Sequence, residues 1–175
     1  KAAKGLDKAW AKAVEKGKKT AEDVAGFGKL LSTGADTALL KDCDIIIEAI
    51  IENIDIKKKV HAQLSELCKP ETILATNTSA LSITEIAAAT SRPDKVVGMH
   101  FFNPVPVMRL VEVIPGAETT QDVVDLTVEM SKKIGKDPVV AKEVPGFIVN
   151  RILVPYINEA GMVFQEGTAS AAEID

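Results

Sequence analysis

Residues 42–79, DCDIIIEAIIENIDIKKKVHAQLSELCKPETILATNTS, contain two short apolar runs separated by one amphipathic segment. Ile45-Ile46-Ile47 is β-branched and bounded by acids, which predicts a buried strand. Asn53 then offers a side-chain oxygen where a helix can begin, and Val60, Leu64 and Leu67 recur at helical spacing and should point inward. The helix should close near Leu67, and Ile73-Leu74-Ala75 should return as a second strand. Strand, helix and strand at this spacing form a crossover unit, the building block of a mostly parallel sheet.

The same alternation continues downstream. Ser82 with Glu85 three residues later is a capping box for a helix over Ile83 to Ala89. Val96-Val97-Gly98-Met99 and Leu110 to Ile114 read as two further strands, and Thr119 or Thr120 caps a helix to about Ile134. Val139-Val140 forms a short strand, and Pro145-Gly146 turns the chain into a long helix ending near Gly167. That helix breaks the alternation, which places a domain boundary near residue 142. Ser170 and Glu173 begin one more helix. Upstream, Leu6, Trp10 and Val14 mark an amphipathic helix starting at or before residue 1, and Thr20 with Glu22 and Asp23 starts a second. The uncapped first helix and the bodiless last one suggest a chain cut at both ends.

Composition narrows the class. Apolar residues make up 46% of the 175 and aromatics only 4%, so the core must be built from Ile, Val, Leu and Ala. Such interiors are common where helices cover a parallel sheet. A net charge of -4 argues against a broad nucleic-acid surface, although Lys12, Lys16, Lys18 and Lys19 cluster locally, as do Lys57, Lys58 and Lys59. Charged residues interrupt every apolar run, so no membrane span is expected. Cys43 and Cys68 lack metal-ligand spacing and read as reduced thiols of an intracellular protein.

In parallel sheets ligands sit outside the carboxyl ends of the strands, which directs attention to the segments after Ile47, Ala75 and Met99. His100 follows the third strand, and Glu112 stands alone in the apolar run Leu110–Ile114. The two are either an acid–base pair or a core histidine beside a carboxylate that faces water. Asn77 and Ser79 read locally as a turn with a cap beyond it, or as donors to a ligand. Glu48 and Glu52 suit the start of a helix or the ligand edge. Asn150 reads as a packing hydrogen bond or a site amide. His61 and the Lys57–Lys59 run read as solvated surface.

Four segments carry a resemblance: IEAIIEN (47–53), NTSALSI (77–83), GMHFFNPVPVM (98–108) and PGFIVNR (145–151). They resemble the motifs of the L-3-hydroxyacyl-CoA dehydrogenases, and the stretch from Ile54 to Ala75 is similar to the bacterial short-chain members, the 3-hydroxybutyryl-CoA dehydrogenases. The resemblance implies an α/β fold: a Rossmann-type, mostly parallel NAD-binding sheet over residues 1–142, N-terminally truncated, then the beginning of an all-α domain over 143–175. It implies interconversion of (S)-3-hydroxyacyl-CoA and 3-oxoacyl-CoA with NAD as cofactor and no metal. His100 would be the catalytic acid/base, Glu112 its orienting carboxylate, Ser79 the hydroxyl contacting substrate and cofactor, and Asn150 the amide holding the reacting oxygen. Ala49, Glu52, Lys57, Asn77, Ser79 and Asn103 would line the cofactor cleft. Lys16 would lie near the CoA moiety, while Ala9 replaces a serine that the family can use there.

The implied partners are an acyl-CoA substrate and a second copy of the chain, without nucleic acid or membrane, in the cytoplasm. Against the family pattern the sequence lacks the opening strand, the G-x-G-x-x-G turn and the acid that reads the ribose, so these 175 residues alone should be inactive. The Ile45–Ile47 strand should then show an exposed edge, and the helix after Pro145 uncovered apolar surface. The alternatives are the dehydrogenase portion of a multifunctional fatty-acid β-oxidation protein and a non-catalytic homologue of the same fold. The presence of His100, Glu112, Ser79 and Asn150 argues against the latter, and the block around His100 argues against an enoyl-CoA hydratase.

Overall fold

The computed structural model describes residues 2–175, which form two compact units, one ending at Leu39 and one spanning Leu40–Asp175. The first holds α1 (Ala2–Glu15) and α2 (Ala21–Leu30). The expected start of α1 at or before Lys1 lies outside the described residues. Thr20 caps α2 as its sequence suggests, with Asp23 closing a reciprocal capping box. Trp10 and Phe27 meet at 6.4 Å between ring centroids.

The second unit is built on five strands in the order β1-β2-β3-β4-β5: β1 (Ile45–Glu48), β2 (Ile73–Thr76), β3 (Val96–Phe101), β4 (Leu110–Pro115) and β5 (Asp137–Val140). β1, β2 and β3 run parallel, as do β4 and β5, while β3 and β4 are antiparallel. The predicted mostly parallel sheet is present. Helices α3 (Ile54–Leu67) and α4 (Ile83–Ala87) carry the crossovers, α5 (Gln121–Lys133) links β4 to β5, and α6 (Val149–Gln165) and α7 (Ala171–Ile174) follow.

Alternation along the strands divides the core in two. Ile46, Leu74, Val96 and Ile114 point to one side with Leu64, Ile83, Ile86 and Phe147. Ile73, Ala75, Val97, Met99, Val111 and Val113 point to the other, where Val123 and Val124 of α5 meet them. Fully burying one such side chain contributes roughly 1.5–3 kcal/mol, and Phe147 is the one aromatic in these two clusters of buried residues. Gly98 is fixed by proximity: a Cβ there would lie 2.8 Å from Ile83 Cδ1 and 3.0 Å from Ile114 Cβ. It lets α4 sit against the sheet directly beside the site.

Several local expectations change. α4 ends at Ala87, two residues early, and only half of its capping box forms. Ser82 Oγ accepts from Glu85 N, but the Glu85 carboxylate takes the Lys58 ammonium at 3.0 Å. Leu67, expected inward on α3, is exposed at the last turn, while Leu64 carries the packing. Thr120 is the N-cap of α5 but makes no side-chain cap bond, because its hydroxyl donates to Asp94 O at 3.4 Å, while Thr119 turns its own to Val96 O. The exposed surfaces are those expected: β1 is an edge strand with Ile47 facing out, and no residue of α6 is buried. No described helix is long and apolar enough to cross a membrane.

Candidate active site

The carboxyl ends of the parallel strands β1, β2 and β3 share one edge of the sheet, and β4 begins at that edge because it runs antiparallel to β3. The reversal makes His100 and Glu112 register partners. Side chains directly opposite on neighbouring strands share a face, so pairing follows from register alone. His100 Nδ1 lies 2.7 Å from Glu112 Oε2, with the residues 5% and 1% exposed. The reading of a carboxylate facing water is thereby excluded.

Glu112 is also saturated on its other side. Its Oε1 accepts from the backbone N–H of Ile148 at 2.8 Å and of Val149 at 3.0 Å, at the start of α6. A helix start leaves such N–H groups without intrahelical partners, and a buried carboxylate is tolerated where donors surround it. Because a carboxylate only accepts, Nδ1 carries a proton, and in the neutral ring Nε2 is the nitrogen with a lone pair. Phe102 stacks tilted on the imidazole at 4.5 Å, and Phe147 meets it edge-on at 5.7 Å.

The same helix start brings in Asn150, whose Nδ2 donates to Ser79 O at 3.2 Å, joining α6 to the segment after β2. Ser79 N donates to Glu52 Oε1 at 2.9 Å, and Thr78 Oγ1 donates to the same oxygen at 2.5 Å. Asn77 is engaged in the framework: its Oδ1 accepts from Phe101 N at 3.0 Å, and its N–H donates to Glu48 O at 2.7 Å. Ala49, Ser79 and Asn103 are exposed beyond the strand ends. Lys16 is exposed just after α1, in the unit ending at Leu39, as is Ala9 within that helix.

Two readings of α3 are overturned. Lys57 and His61, taken from sequence as solvated, are both fully buried. The cause is Glu48, at the end of β1, which draws the first turns of α3 inward. Glu48 Oε1 accepts from Lys57 Nζ at 2.8 Å and from Ile50 N at 2.6 Å, and Oε2 accepts from Thr76 Oγ1 at 2.7 Å. Lys57 Nζ also lies 3.5 Å from Glu52 Oε2. Burial raises the Glu48 pKa, but the contacts from His61, Lys57, Ile50 N–H and Thr76 together outweigh it and hold the carboxyl down at about 2. His61 Nε2 stands 3.5 Å from Glu48 Oε2, too long for a full hydrogen bond. Among the described residues neither of its ring nitrogens has a hydrogen-bond partner.

Sequence reading gave Glu48 no firm place and passed over Thr78, Phe147 and Glu143. An acid closing an apolar triplet nine residues before a lysine is a signal for the Glu48–Lys57 pair. Thr78 and Phe147 lie within the quoted segments NTSALSI and PGFIVNR without a pattern of their own to single them out, and Glu143 lies outside all four segments.

The site sits on segments that known proteins share. The family model described as the NAD binding domain of 3-hydroxyacyl-CoA dehydrogenase matches residues 1–144, and that for the C-terminal domain matches residues 146–175. The 3-hydroxybutyryl-CoA dehydrogenase of Clostridioides difficile is 55% identical over 170 residues, 97% of this chain and 60% of its own length. A probable 3-hydroxybutyryl-CoA dehydrogenase of Bacillus subtilis is 45% identical over 98% of this chain and 60% of its own length. The crystal structure of (S)-3-hydroxybutyryl-CoA dehydrogenase from Ralstonia eutropha superposes with a TM-score of 0.96 at 44% identity, over 99% of this chain and 61% of that one. The chain thus spans about 60% of the length of these relatives. Sequence matches along nearly all of its length and a shared fold agree that the chain belongs to the 3-hydroxyacyl-CoA dehydrogenase family.

Proposed function

We propose that this chain carries the acid–base machinery of an NAD-dependent dehydrogenase that interconverts (S)-3-hydroxyacyl-CoA and 3-oxoacyl-CoA, with 3-hydroxybutyryl-CoA and acetoacetyl-CoA as the pair. The observation that supports it most is the buried His100–Glu112 contact at 2.7 Å, which leaves Nε2 as the available base. In the oxidative direction Nε2 takes the proton of the C3 hydroxyl. In the reductive direction it returns a proton to the carbonyl oxygen. Glu112 fixes the tautomer and stabilises the imidazolium as it forms. Asn150 and Ser79 supply donors where charge develops on oxygen.

The donor set at the strand ends fits the nicotinamide half of the cofactor. Ala49, Ser79 and Asn103 are exposed there, Glu52 accepts hydrogen bonds at the same edge, and Ile50 and Ile51 present apolar surface beside them. These residues would hold the nicotinamide, which when bound would supply hydride-transfer chemistry. We place the division between the cofactor-binding part and the helical part near residue 142, with Lys16 serving the CoA moiety and a second copy of the chain as partner.

His100→Gln in the full-length protein should lower turnover by about 10²–10⁴-fold while cofactor affinity, measured by nicotinamide fluorescence, is largely kept. Near-normal turnover would sink the assignment.

A further inference from the structure

Between β5 and α6 the chain passes through a segment that its own backbone preferences disfavour. Gly146 has φ 78° and Phe147 φ 51°, two successive residues in the left-handed region, the second of them bulky. Phe147 is nevertheless 2% exposed, with its ring edge on His100. Such a conformation persists only where its surroundings over-determine it. α6 has no side-chain cap of its own, and the Glu112 carboxylate holds its first N–H groups.

A second carboxylate holds the other end of this segment. Glu143 Oε1 accepts from Ser82 Oγ at 2.6 Å and from Thr84 N at 3.1 Å, and its Oε2 accepts from Thr84 N at 3.3 Å and from Thr84 Oγ1. These are the N-cap and second residue of α4, the helix that Gly98 admits against the sheet. The anchor therefore fastens the segment to the same rigid layer that carries β3. Residues 143–149 become a strap tied down at both ends by carboxylates, with Asn150 immediately beyond the second tie.

We propose that Glu143 is a positioning residue for the reaction. It touches neither His100 nor Asn150, but by clamping the strained strap to α4 it fixes where Phe147 packs on His100 and where the Asn150 amide sits. This rests on the dehydrogenase reading above. Displacement of an orienting group by about an ångström can cost on the order of 10²-fold in rate without any direct contact with the chemistry.

The test is a double-mutant cycle in the full-length protein with Glu143→Ala and Thr84→Val. Each single variant should lower kcat about 10-fold or more, with the nicotinamide Kd within about 2-fold of the parent. The double variant should lose less than the sum of the two single losses, because both remove the Thr84 Oγ1–Glu143 bond, while Thr84→Val also frees the Ala117 N–H that donates to the same hydroxyl at 2.9 Å. Glu143→Asp should recover part of the loss. Parent-like kcat in Glu143→Ala, or fully additive losses, would overturn the clamp. Should Glu143→Ala not fold, Thr84→Val and Glu143→Asp decide alone: both at parent kcat overturns the proposal, and a kcat loss at retained nicotinamide affinity supports it. His100→Gln run in parallel separates the two ideas, since its failure to lose turnover would count against the dehydrogenase reading and not specifically against the clamp.

Discussion

The molecule buries two carboxylates at the ligand edge of one sheet, and they have opposite fates. Glu48 is ringed by Lys57, Thr76 and the Ile50 N–H, with His61 behind it, so its surroundings favour a permanent charge. Glu112 is as well satisfied, but one of its donors is a histidine whose second nitrogen is not used by the pair. Glu48 ends its network in a lysine, and Glu112 ends its own in the imidazole proposed as the base. Similar burial and equal hydrogen bonding thus give a fixed charge in one place and a proposed reactive group in the other. The identity of one neighbour makes the difference.

The largest effect should come from breaking the second arrangement. Glu112→Gln keeps the shape but substitutes an amide for the acceptor that fixes the His100 tautomer. Turnover of the full-length protein should fall by about 10²–10⁴-fold, by analogy with neutralising the carboxylate of other histidine pairs. Steady-state rates across pH would check it, and an unchanged profile would mean that Glu112 only packs.

The first arrangement should show itself in stability. Glu48→Gln leaves the Lys57 ammonium buried without its main partner and should cost about 3–5 kcal/mol in denaturant unfolding followed by circular dichroism. The parent also has an acid dependence of determined sign. The Glu48 pKa is depressed from 4.5 to about 2, so its contribution is complete above 4.5 and is lost as pH falls toward 2. That contribution is on the order of 3 kcal/mol, and the slope should flatten in Glu48→Gln. An identical acid slope in both proteins would show that Glu48 is not the group responsible.

The smallest change tests the edge of that network. His61 is buried with neither ring nitrogen hydrogen-bonded, and Glu48 keeps its Lys57, Thr76 and Ile50 partners without it. His61→Phe should therefore change stability by no more than about 1 kcal/mol in the same unfolding assay. A loss above about 2 kcal/mol would show that the 3.5 Å contact with Glu48 is a working interaction.

The contrast between these regions also explains what could be read without coordinates. The strands, the crossovers and most helix starts follow from period and capping chemistry, which are local. Pairing of His100 with Glu112 was one of two open readings, because local sequence does not give strand register, and register decides it. Lys57 and His61 were misread for a related reason. A lysine run predicts solvent until a partner such as Glu48, nine residues away along the chain, neutralises one member from inside. The Glu143 contacts with Ser82 and Thr84 cross about sixty residues and leave no periodic trace.

The antiparallel return of β4 has a consequence for how the site is assembled as the chain folds. His100 and Glu112 are 12 residues apart, whereas Asn150 and Ser79 are 71 apart. Loop-closure entropy grows with the logarithm of that separation, so the second contact costs about 1.5 kcal/mol more to close. The imidazole and its carboxylate come together within a single hairpin, whereas the amide reaches Ser79 only once the α4 crossover and the α5 link to β5 are in place. The proposed chemistry thus has a local nucleus, and the Asn150 amide is the late arrival.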